Sequence, residues 1–164
     1  EMKRVLLIIA AAVLTLTAAC TPSPNGGSGG NAYRIRNADK VQFRMLDSVN
    51  ALRQASGSPV VQLNSQLNAA AATHSKDMAV QNRPWHFGSD GSSPLDRVTR
   101  TGYPGTLMGE AISETYESEV ETLAAWMEDT GTRAVIMDPK AVNMGFSWFQ
   151  EQNGKIWWTL VMGN

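Results

Sequence analysis

The stretch from Met144 to Met162 constrains the fold more than any other part of the chain. Met144, Phe146 and Trp148 alternate with Gly145, Ser147 and Phe149, and Ile156, Trp158, Leu160 and Met162 alternate with Trp157, Thr159 and Val161. A period of two is the side-chain alternation of a β-strand. Gln152-Asn153-Gly154 separates the runs, and Asn-Gly is a strong hairpin signal. Large apolar groups stand on both faces of this hairpin, so both faces need a cover. Leu107 to Thr115, with Ile112 central, is a candidate third strand.

Helices earlier in the chain can supply the cover. Val41, Met45, Val49 and Leu52 share one face of a helix capped by Asp39 and ended by Gly57 and Pro59. Asn64 caps a second, with Leu67, Ala71, His74 and Met78 on one face. Ser93-Pro94-Leu95-Asp96 combines a cap, a proline at the first helical position and a carboxylate three after the cap, so a short helix follows. Ser118-Glu119-Val120-Glu121 reads as a capping box ahead of a buried stripe of Val120, Leu123, Ala124 and Met127. Glu114, Glu117, Glu119 and Glu121 read as a solvated acidic turn that favours the helix dipole. The expected fold class is α+β, with a small antiparallel sheet between helical layers. At 164 residues, 43% hydrophobic and 18% charged, the chain has material for one packed domain.

The first nineteen residues read as a signal peptide. Lys3 and Arg4 precede an apolar run from Val5 to Leu16, shorter than the about 20 residues that span a bilayer. Thr17-Ala18-Ala19-Cys20 follows, small residues and then the only cysteine. This resembles a bacterial lipobox, which implies lipidation of Cys20; the alternative is an ordinary secretory signal. Residues 20–33 then form the lipidated cysteine and a flexible Gly/Ser/Pro linker, and the domain occupies residues 34–164. Without the leader, Lys plus Arg falls from 14 to 12 and Asp plus Glu from 15 to 14, and the resulting charge of -2 gives no electrostatic hold on a membrane, so lipid would have to supply the anchor. The same balance argues against nucleic acid as a partner. A single cysteine excludes an internal disulfide framework and a multi-cysteine zinc site.

Two histidines are available for chemistry. His86 opens the loop Phe87-Gly88-Ser89-Asp90-Gly91-Ser92-Ser93 and is a candidate proton acceptor or ligand contact; the alternative is a loop organiser. His74 lies on an apolar helix face and reads as a core histidine with one hydrogen bond. Glu110, at the start of a half-buried strand, needs a partner, and pairing with His86 would orient the imidazole; otherwise it is a rim carboxylate. Asp90 lacks the spaced acidic neighbours of an EF-hand loop. There is no nucleophile elbow, P-loop or dinucleotide glycine pattern.

The order of motifs is familiar. Leu52-Arg53-Gln54-Ala55-Ser56-Gly57, the segment Leu67 to Ala79, His86-x-Gly-Ser-Asp-Gly-Ser-Ser-Pro-x-Asp-Arg97, Gly102-Tyr103, Gly109-Glu110, Trp126-Met127 and the Trp-rich hairpin follow one another. This set resembles the bacterial branch of the CAP superfamily (SCP domain; cysteine-rich secretory, antigen 5 and pathogenesis-related proteins). The resemblance implies an α-β-α sandwich, export, and a cleft ringed by two histidines and two acidic residues. Some members bind a divalent metal through the histidines, others bind lipids, and a few are assigned proteolytic activity. His86 matches the first family histidine and Glu110 the acid of the Gly-Glu-Asn motif, with Ala111 replacing Asn. Thr132 stands where the second histidine belongs, and Asp129 aligns weakly with the second acid. Threonine is a poor zinc ligand and no general base near pH 7, so no metal and no cofactor are expected.

The resulting expectation is a non-catalytic binding module in the cell envelope, held by a lipid anchor at the outer membrane or facing the periplasm; secretion is the alternative. Its cleft, formed by His86, Glu110 and Thr132 and floored by hairpin aromatics, would take a small apolar ligand or an envelope protein partner. The rivals are a hydrolase using a His86–Glu110 dyad, with Asp129 as a further acid, and a structural protein with a degenerate site.

Overall fold

The computed structural model describes residues 33–164. The signal peptide, Cys20 and the linker up to residue 32 lie outside the described residues. Five helices and four strands follow in the order α1 (Ala38–Ala55), β1 (Gln62–Leu63), α2 (Ser65–Gln81), α3 (Pro94–Arg100), β2 (Leu107–Ser113), α4 (Glu119–Glu128), α5 (Thr130–Ile136), β3 (Asn143–Gln150) and β4 (Ile156–Gly163). The sheet order is β1-β3-β4-β2.

The hairpin forms as its pattern predicts, with Met144 opposite Met162, Phe146 opposite Leu160 and Trp148 opposite Trp158. Its turn is wider than a two-residue Asn-Gly connection. Glu151 N–H donates to Lys155 O and Gly154 N–H to Glu151 O, and Gly154 takes a φ of +99°. That is a three-residue loop in which glycine accepts the left-handed conformation. β2 joins β4 antiparallel. The sheet is nevertheless mixed, because β1 runs parallel to β3. Two residues are too few to show a period, which is why the sequence pointed to an antiparallel sheet alone.

Both faces of the sheet are covered, giving an α-β-α sandwich. On one side Val41, Met45 and Val49 of α1, Leu123 and Trp126 of α4 and Ile136 of α5 pack on Met144, Phe146, Trp158, Leu160 and Met162. Phe146 and Trp158 stack there at 5.7 Å. On the other side Leu67, Ala70 and Ala71 of α2 and Val98 of α3 pack with Val161. Gly145 lets α2 lie directly on β3, since a Cβ there would collide with the backbone of Leu67 and Asn68. Beyond the short β1, Phe146 N–H donates to Asn68 Oδ1 and Phe146 O accepts from Gln42 Nε2, each at 2.8 Å. Side chains therefore satisfy the Phe146 groups that a longer neighbouring strand would have taken.

Asn64 and Ser93 cap α2 and α3 as expected, the latter in a full capping box with Asp96. Three helix expectations change. The cap of α1 is Asn37, whose side chain accepts from Lys40 N–H, and Asp39 sits in the first turn. The buried face of α4 is Glu119, Thr122, Leu123 and Trp126, while Val120 is 49% exposed. Trp126 Nε1–H donates to Ile112 O at 2.9 Å, which turns that face towards β2. Glu119 is thus buried rather than solvated, with Arg44 Nε of α1 at 2.6 Å from Oε1 as an ion contact outside hydrogen-bond alignment. Finally, α5 is an element without a sequence counterpart; seven residues with a glycine in the first turn carry little helical signal.

Candidate functional site around His86 and Glu110

Four elements bring four side chains together. β2 supplies Glu110, which pairs across the sheet with Val161 and so projects towards α2 and α3. α3 supplies Arg97, one residue after the capping-box Asp96. α2 supplies His74, and the loop that follows α2 supplies His86. Gly109, at the irregular start of β2, allows α5 to approach; a Cβ there would meet Val135 Cγ2 at 2.6 Å.

Glu110 is the hub. Its side chain is 2% exposed. Arg97 Nη2 donates to Oε1 at 3.0 Å and to Oε2 at 2.8 Å, and Arg97 Nη1 donates to Ser92 O at 3.2 Å. A buried carboxylate needs such a counter-charge. His86 Nδ1 lies 2.9 Å from Glu110 Oε1. An ionised carboxylate only accepts, so Nδ1 carries the proton and donates. In the neutral ring the lone pair is then on Nε2, which has no hydrogen-bond partner among the described residues. The His86 side chain is 49% exposed, so this acceptor is open to solvent.

His74 lies behind the pair. It is fully buried, and its Nε2–H donates to Trp85 O at 2.8 Å. The same nitrogen is 3.6 Å from Glu110 Oε1. Nδ1 has no partner. Burial pushes the His74 pKa below its ordinary value, with Glu110 partly opposing and Arg97 reinforcing the shift. The ring is therefore neutral at pH 7, and the unpartnered Nδ1 is a lone pair rather than an orphaned donor.

Asp129 and Thr132 lie elsewhere in the hydrogen-bond network. Asp129 caps α5, accepting from Thr132 N–H at 2.8 Å. Thr132 Oγ1–H donates to Trp126 O at 2.6 Å. The bonds from Thr132, its backbone N–H foremost, hold the Asp129 carboxyl below the usual range. Neither residue is a partner of His86, Glu110 or Arg97. Trp148 and Phe149 of the hairpin are half-buried, and Phe146, Trp157 and Trp158 are fully buried and floor no open cleft. They fill the core because their strands are covered on both faces.

These residues do not fit the divalent metal that the fold family implies. Both Glu110 oxygens already face a guanidinium, His74 Nε2 is turned to a backbone carbonyl, and the Thr132 hydroxyl is tied to Trp126. A second cation beside Arg97 would be repelled. Among the described residues no group of three His, Cys, Asp or Glu side chains is placed to hold a metal. The sequence reading missed Arg97 as a member of the site. The available signal was the need of a half-buried glutamate for a cation.

A sheet sandwiched between α1, α4 and α5 on one side and α2 and α3 on the other, with a buried glutamate beneath a loop histidine, defines the class. The CAP family model, described as the cysteine-rich secretory protein family, matches residues 46–162, and the chain belongs to this family. It is similar to the uncharacterized protein YkwD of Bacillus subtilis, 28% identical over 120 residues, 73% of this chain and 46% of the relative. The chain thus spans about half of that relative's length. Among solved structures, an outer surface protein from Borrelia burgdorferi superposes with a TM-score of 0.72 at 11% identity, covering 81% of this chain and 98% of that one. An extracellular protein containing a SCP domain from Bacillus anthracis superposes with a TM-score of 0.67 at 21% identity, covering 80% and 45%. These two likenesses are of fold; the family match and the B. subtilis relative fit the bacterial branch.

Proposed function

We propose that the chain is an exported CAP module that works in the cell envelope by binding a partner rather than by turning over a substrate. The observation that carries this reading is the clamp on His86. Glu110 fixes the ring through Nδ1, and Arg97 fixes Glu110 from within. Such an arrangement aims Nε2 in one direction as a hydrogen-bond acceptor. Phe87 is exposed beside His86, and its ring lies 5.5 Å from that of Trp85. An amphipathic ligand, or a segment of an envelope component, with a donor group next to an apolar part matches this surface.

Attachment to the envelope rests on the leader, the lipobox-like Thr17-Ala18-Ala19-Cys20 and the Gly/Ser/Pro linker. The descriptions of the Borrelia and B. anthracis proteins as outer surface and extracellular support the same side of the membrane. No helix among the described residues is long and apolar enough to cross a membrane. Cys20→Ser is expected to release the protein from the membrane fraction.

Native mass spectrometry of protein purified from its own envelope tests the binding reading. A co-purifying mass that is lost in His86→Ala is the expected result; a consistently empty domain with no partner would sink it. The His86–Glu110 hydrogen bond also gives a hydrolase reading its footing, since it leaves Nε2 free to take a proton from water. Turnover of peptide or ester substrates that vanishes in His86→Ala, at unchanged melting temperature, would favour that reading instead.

A further inference from the structure

We propose that the end of the domain at the β3–β4 turn is a membrane-docking face, which lays Tyr33, Trp85, Phe87 and Tyr116 at the interface of a phospholipid bilayer. The proposal rests on the reading of Cys20 as the anchor and goes beyond it, because an anchor alone leaves the domain free to turn. Where the chain enters the domain decides which end is held down. Gln150 Nε2 donates to Tyr33 O at 2.7 Å, and Gln150 Oε1 accepts from Ile35 N–H at 3.1 Å. Arg34 donates to Glu151 O at 2.6 Å and to Gln152 O. The first described residues are therefore fastened to the turn. A flexible linker of the length of residues 21–32 spans only about 20 Å r.m.s.. Lipid on Cys20 then keeps this end nearer the bilayer than the far end of the sheet.

The same end gathers aromatic side chains and cations. Lys155 Nζ, at the turn, lies 2.5 Å from Oε2 of Glu114, just beyond β2, and donates to Oδ1 of Asn82, the C-cap of α2, at 3.5 Å. Three loops thus meet here. A cavity between the turn and the segment after β2 is lined by Tyr33, Tyr116, Glu117 and Lys155, and both tyrosines are exposed. The loop after Asn82 stays close to the end of α2, because Gln81 accepts from Trp85 Nε1–H at 2.8 Å and donates to Phe87 O at 3.1 Å. Phe87 is exposed and Trp85 half-buried, and the Arg83 guanidinium lies 3.8 Å from the centroid of the Trp85 ring. Tyrosine and tryptophan have an apolar body and a polar tip, and they favour the headgroup level of a bilayer. Arg34 and Arg83 are exposed and have no salt-bridge partner among the described residues, so they complement lipid phosphates. Docked in this way, the exposed edge of His86, between Trp85 and Phe87 in the chain, would meet its partner close to the bilayer.

The test uses the chain from Cys20 onward, which keeps every described residue, with its only thiol coupled to a maleimide phospholipid in phosphatidylethanolamine–phosphatidylglycerol vesicles. Chemical coupling tests the face whether or not the cell lipidates Cys20, which the mass of the protein from its own envelope reads separately. Hydroxyl-radical footprinting compares the coupled chain with the uncoupled one. Labelling of Tyr33, Phe87 and Tyr116 is expected to fall roughly threefold on vesicles, as rings at the headgroup level lose contact with bulk water. Val60 and Val142, exposed near the opposite end of β3, are expected to stay unchanged. Phe87→Ser combined with Tyr116→Ser, both at exposed positions, is expected to return Tyr33 to its uncoupled labelling while the circular dichroism spectrum stays unchanged. The proposal is overturned if labelling falls nowhere, if it falls equally at both ends or only at Val60 and Val142, or if the double variant keeps Tyr33 protected. It is also overturned if raising the concentration of the uncoupled chain gives the same protection without vesicles, which would make the face a contact between copies. His86→Ala is expected to leave the footprint unchanged, so this face and the binding reading at His86 fail separately.

Discussion

Arg97 and Glu110 form a buried ion pair in which one guanidinium nitrogen straddles both carboxylate oxygens, at 3.0 and 2.8 Å. The side chains are 4% and 2% exposed. His86 meets the same carboxylate from the solvent side. The carboxylate therefore has one partner that holds it in the fold and another that it holds in turn, and substitutions on the two sides should behave differently.

On the inner side, Glu110→Gln leaves Arg97 uncompensated, and Arg97→Met leaves Glu110 so. Each is expected to lower unfolding stability by about 3–5 kcal/mol, the scale of a broken buried pair. The double variant should lose less than the sum of the singles. Urea denaturation of all three chains, read as a double-mutant cycle, measures the coupling.

On the outer side, His86→Ala keeps the Arg97–Glu110 pair. A half-exposed ring with one hydrogen bond should contribute no more than about 1 kcal/mol to stability. Its loss should weaken partner binding roughly tenfold or more, about 1.4 kcal/mol. A thermal shift assay run beside a binding titration separates the two. A melting temperature that collapses would make His86 a brace instead.

Acid should weaken the fold through His74. Its folded pKa lies below the ordinary 6.5 because of burial. Below that pH the unfolded chain takes up a proton that the folded chain refuses, so this contribution is complete above 6.5 and declines as pH falls. Glu110, Arg97 and Asp77 are the charged groups around it. His74→Gln, which can keep a donor near Trp85 O, should flatten the stability profile between about pH 6.5 and pH 5. Urea midpoints measured across that range provide the check.

Gly145→Ala should be costly despite its small size. The added methyl runs into the α2 backbone, which has no rotamer to change. Overpacking of this kind costs roughly 1–3 kcal/mol or more. Chemical denaturation measures the loss, and the near-ultraviolet spectrum should shift as α2 is lifted from the hairpin.

Features written in local patterns could be read from the sequence. Alternation from Met144 to Met162 gives the hairpin, and the caps Asn64 and Ser93 locate α2 and α3. Short elements could not be read this way: β1 has two residues and α5 has seven. The face of α4 is misread from its pattern because Val120 looks apolar, whereas the bond from Trp126 to Ile112 O decides the rotation. The site divides along the same line. Glu110 advertised its need for a partner, and His86 its place in a loop. That Arg97 would be a partner, thirteen residues before Glu110, depends on how α3 lies against β2, and spacing carries no trace of it. His74 is the core histidine with one bond that its helix face implied, yet its nearness to Glu110 is equally non-local.

The bonds from Asn68 and Gln42 to Phe146 have a consequence for how many copies of this domain can share a surface. An outer strand with idle amides and carbonyls recruits the next chain as an extra strand. Here both groups of Phe146 are already occupied from within the same molecule. Replacing Asn68 and Gln42 together would leave the amide and carbonyl of Phe146 idle, the condition under which a border strand recruits another chain.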